Sequence, residues 1–331
     1  MKDTWFFKNA PRILSYASCV GVKEGEGPLA YGFDIIGEDN RFGEKTWEKT
    51  ESRMTELACE RAITKSGLCR EEIGCHIGGD LLNQCISTSY AARSLGFRTL
   101  GIYGACSTMA ESLALGAALY EGGLEKHPLC SASSHFCSAE RQYRYPLGYG
   151  GQRSQTSQWT ATACGAVIMG AEGKVRVKAA TVGRVYDPGV KDAGNMGAAM
   201  AQAAYETVSV FFKDSGMSPA DVDLIATGDL SAVGAEIFSE LFAYDGVDVS
   251  SVYGDCGLML YDRKKQDVHA GGSGCGCSAA VLCAKILPEL ESGALKRVLF
   301  CGTGALLSPV SVSQGESIPG VCHLVFLEGS L

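Results

Sequence analysis

One ordered series of residues occurs twice in the 331-residue chain, and it restricts the architecture more than any other feature. Helical spacing, a Ser-Gly stop, a short charged turn, an apolar strand and Gly-Asp-Leu follow one another over residues 54–82 and again over 200–230. Lys65-Ser-Gly-Leu-Cys-Arg-Glu-Glu-Ile73 parallels Asp214-Ser-Gly-Met-Ser-Pro-Ala-Asp-Val222, and Ile77-Gly-Gly-Asp-Leu81 parallels Ala226-Thr-Gly-Asp-Leu230. Each copy runs on to a junction of small residues, Gly104-Ala-Cys106-Ser-Thr108 or Gly271-Gly-Ser-Gly-Cys-Gly-Cys-Ser278, and then to a helix and a strand. A single Gly-Asp-Leu is within reach of chance, because Gly and Asp are ordinary turn residues. The ordered series is much harder to reach. It predicts an α/β chain of two βαβ-containing halves, each about 150 residues, divided as 1–185 and 186–331.

The first junction is where the hydrophobic period changes. Thr99–Tyr103 has the pattern of a short buried strand, while Ser107–Glu121 carries small and apolar residues at helical spacing. Cys106 stands at the switch. There the positive end of a helix can lower a thiol's pKa or hold an anion; equally, a small apolar residue packs well at a crowded crossover. Spacing alone leaves both readings open.

Elsewhere, Met54, Leu57, Ala58, Ala62 and Ile63 mark a helix ending at Gly67, and Ser87–Leu95 a second. Met196, Met200, Ala204, Val208 and Phe211 mark a third, entered through Asp192–Asn195 and closed by Gly216. Trp5–Phe7 and Ile13-Leu14 predict short strands, and Gly21–Gly43 a covering loop. Further strands are expected at 73–77, 128–132, 222–227 and 296–301. Trp159–Met169 and Val175–Val182 read as a hairpin-like pair ending the first half. Ser133–Arg153 is polar, aromatic and aperiodic, the signature of an ordered loop over a site. It carries His135, Arg141, Arg144 and Arg153 among Tyr143, Tyr145 and Tyr149.

A net charge of -8 argues against nucleic acid, whose phosphates demand a clustered cationic surface. No segment has the length and hydropathy of a bilayer span, and the first residues do not resemble a secretory signal, so a soluble interior protein is expected. The 15 Cys lie mostly among small and apolar residues and read as reduced core thiols. Cys275 and Cys277 are separated by one residue and lack a matching ligand pair, which argues against a metal site; no cofactor is expected.

These junctions together resemble the thiolase and ketoacyl-synthase superfamily, with Cys106 at the place of its nucleophile. Across nearly the full length, Gly79-Asp-Leu-Leu-Asn-Gln84, Gly104-Ala-Cys-Ser-Thr-Met-Ala-Glu111, Ser133-Ser-His135 through Gly151, Gly228-Asp-Leu-Ser-Ala-Val-Gly234, Ala270–Ala279 and Gly302-Thr-Gly-Ala-Leu-Leu-Ser-Pro309 resemble the stage V sporulation protein AD family more closely. The resemblance implies a thiolase-like fold with layers ordered α-β-α-β-α. It implies a component of dipicolinate (pyridine-2,6-dicarboxylate) uptake into the developing spore, working with other stage V sporulation A proteins. The ligand would be free dipicolinate or its calcium chelate. The location implied is cytoplasmic or peripheral at the forespore or spore inner membrane, and superfamily habit implies a homodimer.

The superfamily's catalytic partners are not matched. Where it has a Gly-His-Pro segment or an Asn, this chain has Gly272-Ser273-Gly274; where its other His follows a strand, Gly228-Asp229 stands. Cys301 matches a second superfamily thiol. Condensation needs a thiolate, a proton carrier and an oxyanion hole, so the expected role is binding without catalysis. A planar dicarboxylate requires cationic or N–H donors and apolar contact along its ring. The expected contacts are Cys106, His135, Arg141, Arg144, Tyr145, Arg153, Asp229 and Ser273. Two alternatives stand beside this: a thioester condensing or hydrolytic enzyme using Cys106, His135 and Cys301, and a structural adaptor for spore-membrane proteins.

Overall fold

The computed structural model describes residues 2–144, 147 and 152–329. Its strands are β1 (Thr4–Phe6), β2 (Arg12–Val20), β3 (Ile35–Ile36), β4 (His76–Gly79), β5 (Thr99–Gly101), β6 (Leu129–Ser134), β7 (Trp159–Thr160), β8 (Ala163–Gly170), β9 (Val175–Thr181), β10 (Leu224–Thr227), β11 (Tyr253–Asp255), β12 (Gly272–Ser273), β13 (Arg297–Ala305) and β14 (Gly320–Gly329). Two runs of strands, β5-β4-β6-β8-β2 and β11-β10-β13-β14-β9, have the same pattern of directions: parallel over the first three strands, antiparallel over the rest. Counted along the chain, both run third, second, fourth, fifth, first. They meet where Arg12 and Ile13 of β2 lie opposite Arg176 and Val175 of β9.

Between the runs lie two buried helices, Thr108–Glu121 and Cys275–Val281, each touching strands of both. Their small residues allow the close approach. A Cβ on Gly165 of β8 would lie 2.5 Å from the carbonyl oxygen of Ala279, and one on Gly276 would lie 2.7 Å from Ser134 Oγ. Only glycine fits such backbone-to-backbone contact. Helix Trp47–Ser66 covers β2 and β8 from outside, burying Met54, Ala58, Cys59 and Ala62. Helix Met196–Ser215 covers β13 and β14 with Met200, Ala204, Val208 and Phe211. Gly67 and Gly216 end these helices at φ of 72° and 74°, and Asn195 caps the second. All Cys are unpaired thiols, and all but Cys69 and Cys137 are buried. No described helix is long and apolar enough to cross a membrane.

Three expectations are corrected. β8 and β9 form no hairpin, because β2 lies between them. Only Ile13-Leu14 of this nine-residue strand was legible, since Ser15, Ala17 and Ser18 interrupt its apolar pattern. β5 is a sheet edge with Leu100 48% exposed, rather than a buried strand. Residues 136–143 form a helix, not a loop. Its inner face is partly polar: Ser138 Oγ donates to the buried carboxylate of Glu51 at 2.9 Å, and Glu140 is also buried, so buried polar residues stand among the apolar positions Phe136, Ala139 and Tyr143.

Two histidines belong to this framework. His76 is fully buried with Nε2 2.8 Å from Ser131 Oγ, and His135 is buried at the start of helix Phe136–Tyr143. Burial lowers the pKa of each to about 4. The unfolded chain binds these protons more readily, so their contribution to stability is present above about pH 6.5 and is lost as pH falls toward 4. Urea unfolding at pH 7 and pH 5 should therefore show a change in stability that is less unfavourable on acidification in His135→Gln than in the wild type; the same change in both would remove His135 from this account.

Candidate functional site

The chain enters helix Thr108–Glu121 through a tight turn, Ala105–Ser107, in which Ala105 holds φ at 49°. A left-handed Ala is strained, and local bonds hold it. Ser107 Oγ donates to Gly104 O at 2.6 Å, and Thr108 Oγ1 donates to Ala105 O at 2.7 Å. Glycines on β13 let the turn sit against that strand; a Cβ on Gly304 would come within 3.1 Å of Ser107 N. The turn fixes Cys106 at the base of a cleft.

Across from the thiol is Ser273 of β12, with Oγ 4.0 Å from Sγ. Ser273 Oγ and Gly274 N donate to one oxygen of Asp229 at 3.1 and 2.9 Å, and Thr303 Oγ1 donates to the other at 2.7 Å. Asp229 N returns a bond to Thr303 Oγ1 at 3.0 Å. Asp229 is completely buried, and burial raises its pKa. Burial and then the Asp229 charge push the Cys106 thiol well above its ordinary value. The helix-end effect is outweighed, so the activated-thiolate reading of the junction is corrected: this thiol keeps its proton at neutral pH.

Above Cys106 is a narrow cleft walled by Leu81, Met196 and Leu307, about 410 Å³ when the part open to solvent is counted. Its polar rim comes from Tyr103 and Tyr143, whose hydroxyls are 2.7 Å apart, and from Arg144. Arg144 follows helix Phe136–Tyr143 and pairs with Glu140 one turn back. Its Nε is buried and has no hydrogen-bond partner among the described residues. A mostly apolar cleft with a few polar groups and one guanidinium suits a small anion with an apolar body.

Cys106, Arg144 and Ser273 thus line one cleft, with Asp229 directly beneath. His135 does not join them: Nδ1 accepts from Cys137 N at 3.1 Å, Nε2 donates to Asn40 O at 2.9 Å, and the ring lies 5.2 Å from that of Trp47. Arg141 points to Glu48 on the outer helix. Cys301 is buried in the core under helix Met196–Ser215. Arg153 rests on Trp159 rather than on the cleft wall, and Tyr145 lies outside the described residues. Tyr103, Met196 and Leu307 read in the sequence as the end of a strand, part of a helix face and part of a family stretch, and nothing there marks them as site residues. Asp255 is unmarked there too: it accepts from Leu230 N at 2.8 Å and Ser231 N at 3.0 Å, with burial lifting its pKa to about 7. Asp80, its Gly-Asp-Leu counterpart notwithstanding, only closes a local turn through Leu82 N and Thr88. Among the described residues no group of three His, Cys, Asp or Glu side chains could hold a metal ion.

Residues 1–328 match the family described as Stage V sporulation protein AD. The chain belongs to that family. It is 42% identical to Stage V sporulation protein AD of Bacillus subtilis (strain 168) over 328 residues, covering 99% of this chain and 97% of the relative. Solved structures show the fold. 3-Oxoacyl-[acyl-carrier-protein] synthase III of Aquifex aeolicus VF5 aligns with a TM-score of 0.57 at 14% identity, covering 96% of this chain and 99% of its own. A variant of Xanthomonas campestris OleA with cerulenin gives 0.61 at 14% identity, covering 98% and 97%. The architecture is therefore thiolase-like α/β, in a sporulation family.

The raised thiol makes a measurable expectation. Iodoacetamide labelling of Cys106, followed by peptide mass spectrometry, should accelerate with pH to beyond pH 9; a rate that levels off below pH 8 would mean a stabilised thiolate.

Proposed function

We propose that the protein binds dipicolinate without transforming it, as the soluble or membrane-peripheral component of dipicolinate uptake into the developing spore. The observation that carries this reading is the chemistry around Cys106: a protonated thiol beside a carboxylate and a hydroxyl, in a cleft that also presents a guanidinium. Asp229 spends its acceptor capacity on Thr303, Ser273 and Gly274, and its charge opposes a thiolate. No described His lines the cleft to carry a proton.

The same groups suit a dianion with a flat ring. Arg144 offers a planar fork to one carboxylate, Tyr103, Tyr143 and Ser273 offer neutral hydroxyls, and Leu81, Met196 and Leu307 offer apolar walls. A guanidinium favours free dipicolinate over its charge-neutral calcium chelate. The family's place in sporulation supports companion stage V sporulation A proteins as partners. The exposed edge of β5 supports pairing with a second copy, and the matching strand orders support two halves derived from one repeated unit.

Calorimetry tests the proposal. Wild-type protein should give saturable heat with dipicolinate, and Arg144→Met should weaken binding at least tenfold, about 1.4 kcal/mol, without moving the unfolding midpoint. Absence of saturable heat in the folded wild type overturns binding. Turnover of an acyl thioester through Cys106 overturns the non-catalytic part.

A further inference from the structure

Beside the cleft lies a second cationic cluster. Trp159 of β7 runs alongside Gly272 of β12, next to the Ser273 that faces Cys106. The ring of Phe136 stacks on Trp159 at 3.8 Å and 9°. Lys23 Nζ lies 3.5 Å from the Trp159 ring centroid, and Arg153 Cζ lies 4.6 Å from it. Four residues distant in sequence thus bring two positive charges over one indole.

Neither cation makes an ion pair among the described residues. Lys23 Nζ donates to the backbone oxygen of Asp267 at 2.9 Å, and Arg153 Nη1 to that of Gln158 at 3.3 Å. Arg153 Nη2 is buried with no partner among the described residues. The carboxylates whose charges reach the pair are Asp267 for both, Glu140 for Arg153, and Glu24 and Glu26 for Lys23; among the described residues none forms an ion pair with either cation, and Glu140 pairs with Arg144. Glu24, next to Lys23, is buried and accepts from Thr162 N and the Tyr261 hydroxyl. Residues 145–151 carry no acidic side chain. Arg144 and Arg153 repel each other, as do Arg153 and Lys23. Half-buried cations without an ion-pair partner cost stability, and an oxyanion would both offset the repulsion among Arg144, Arg153 and Lys23 and give Nη2 its missing acceptor.

We propose that Lys23 and Arg153, held over Trp159, form an outer oxyanion site at the side of the cleft, distinct from Arg144, that takes a carboxylate of the incoming ligand. The carboxylate chemistry stands on these residues; that the carboxylate is dipicolinate's rests on the function proposed above. Because the faces of Trp159 are occupied by Phe136 and Lys23, the site reads the carboxylate and not the ring. It should therefore accept a monocarboxylate such as picolinate as well.

Trp159 reports on the site directly. With Trp5→Phe and Trp47→Phe, it is the remaining tryptophan, and its emission, excited near the red edge, can be titrated with picolinate and with dipicolinate at constant ionic strength. The expected result is a saturable change with both, weakened at least tenfold by Lys23→Met or Arg153→Met and retained in Arg141→Met, whose guanidinium turns to Glu48 on the outer helix. Lys23→Met alone decides the matter if Arg153→Met lowers the unfolding midpoint. No emission change in the parent, or the same titration in both variants, overturns the outer site. Dipicolinate heat that depends on Arg144 but not on Lys23 or Arg153 removes the outer site and leaves the proposed function intact. A picolinate signal dependent on Lys23 and Arg153, without dipicolinate heat, keeps the outer site and removes the dipicolinate reading.

Discussion

The buried carboxylate of Asp229 is the interaction on which the site depends. Its donors come from Ser273 and Gly274 at the start of one central helix and from Thr303 on β13, so two separate stretches converge on one side chain. An unpaired carboxylate in this position would be far too costly to bury; with three donors it becomes a clamp. The clamp holds Ser273 opposite Cys106, and its charge adds to burial in keeping the thiol protonated. Structure and chemistry share one cause here.

The small residues around the clamp follow from the same constraint. Two helices lie between sheets, and their starting turns must approach β8 and β13 at backbone distance, which Gly165, Gly276 and Gly304 permit. Larger side chains there would clash with backbone or side-chain atoms that have little room to yield. The Gly-rich junctions that look like flexible linkers in the sequence are among the most tightly packed parts of the molecule.

The repeated series made the α/β class legible, because turn residues and strand lengths are local properties that survive in the sequence. Pairing partners are not local. β2 is inserted between β8 and β9, and its small polar residues gave only a fragment of its length away. Helix Phe136–Tyr143 was hidden for another reason: its inward face satisfies a buried Glu51 through Ser138, so the polar residues that argued for a loop are interior ones. Within the site, Cys106, Asp229 and Ser273 were legible as junction residues, and Arg144 as one cation among several. That Arg144 reaches the cleft while Arg141 turns to Glu48 depends on the phase of a helix the sequence did not reveal. Tyr103, Met196 and Leu307 meet only in three dimensions.

Asp80 and Asp229 show how one motif position can support different work. Both follow a strand in Gly-Asp-Leu and both are buried. Asp80 accepts from Leu82 N and Thr88, within its own turn, while Asp229 reaches across to β12 and β13. The corresponding local duty in the second half passes to Asp255, which accepts the N–H groups of Leu230 and Ser231. Asp229 is thereby free to face the centre, where its carboxylate adds to burial in suppressing the thiolate that condensation needs. The same position in the repeated series thus serves turn geometry in one half and the chemistry of the central thiol in the other.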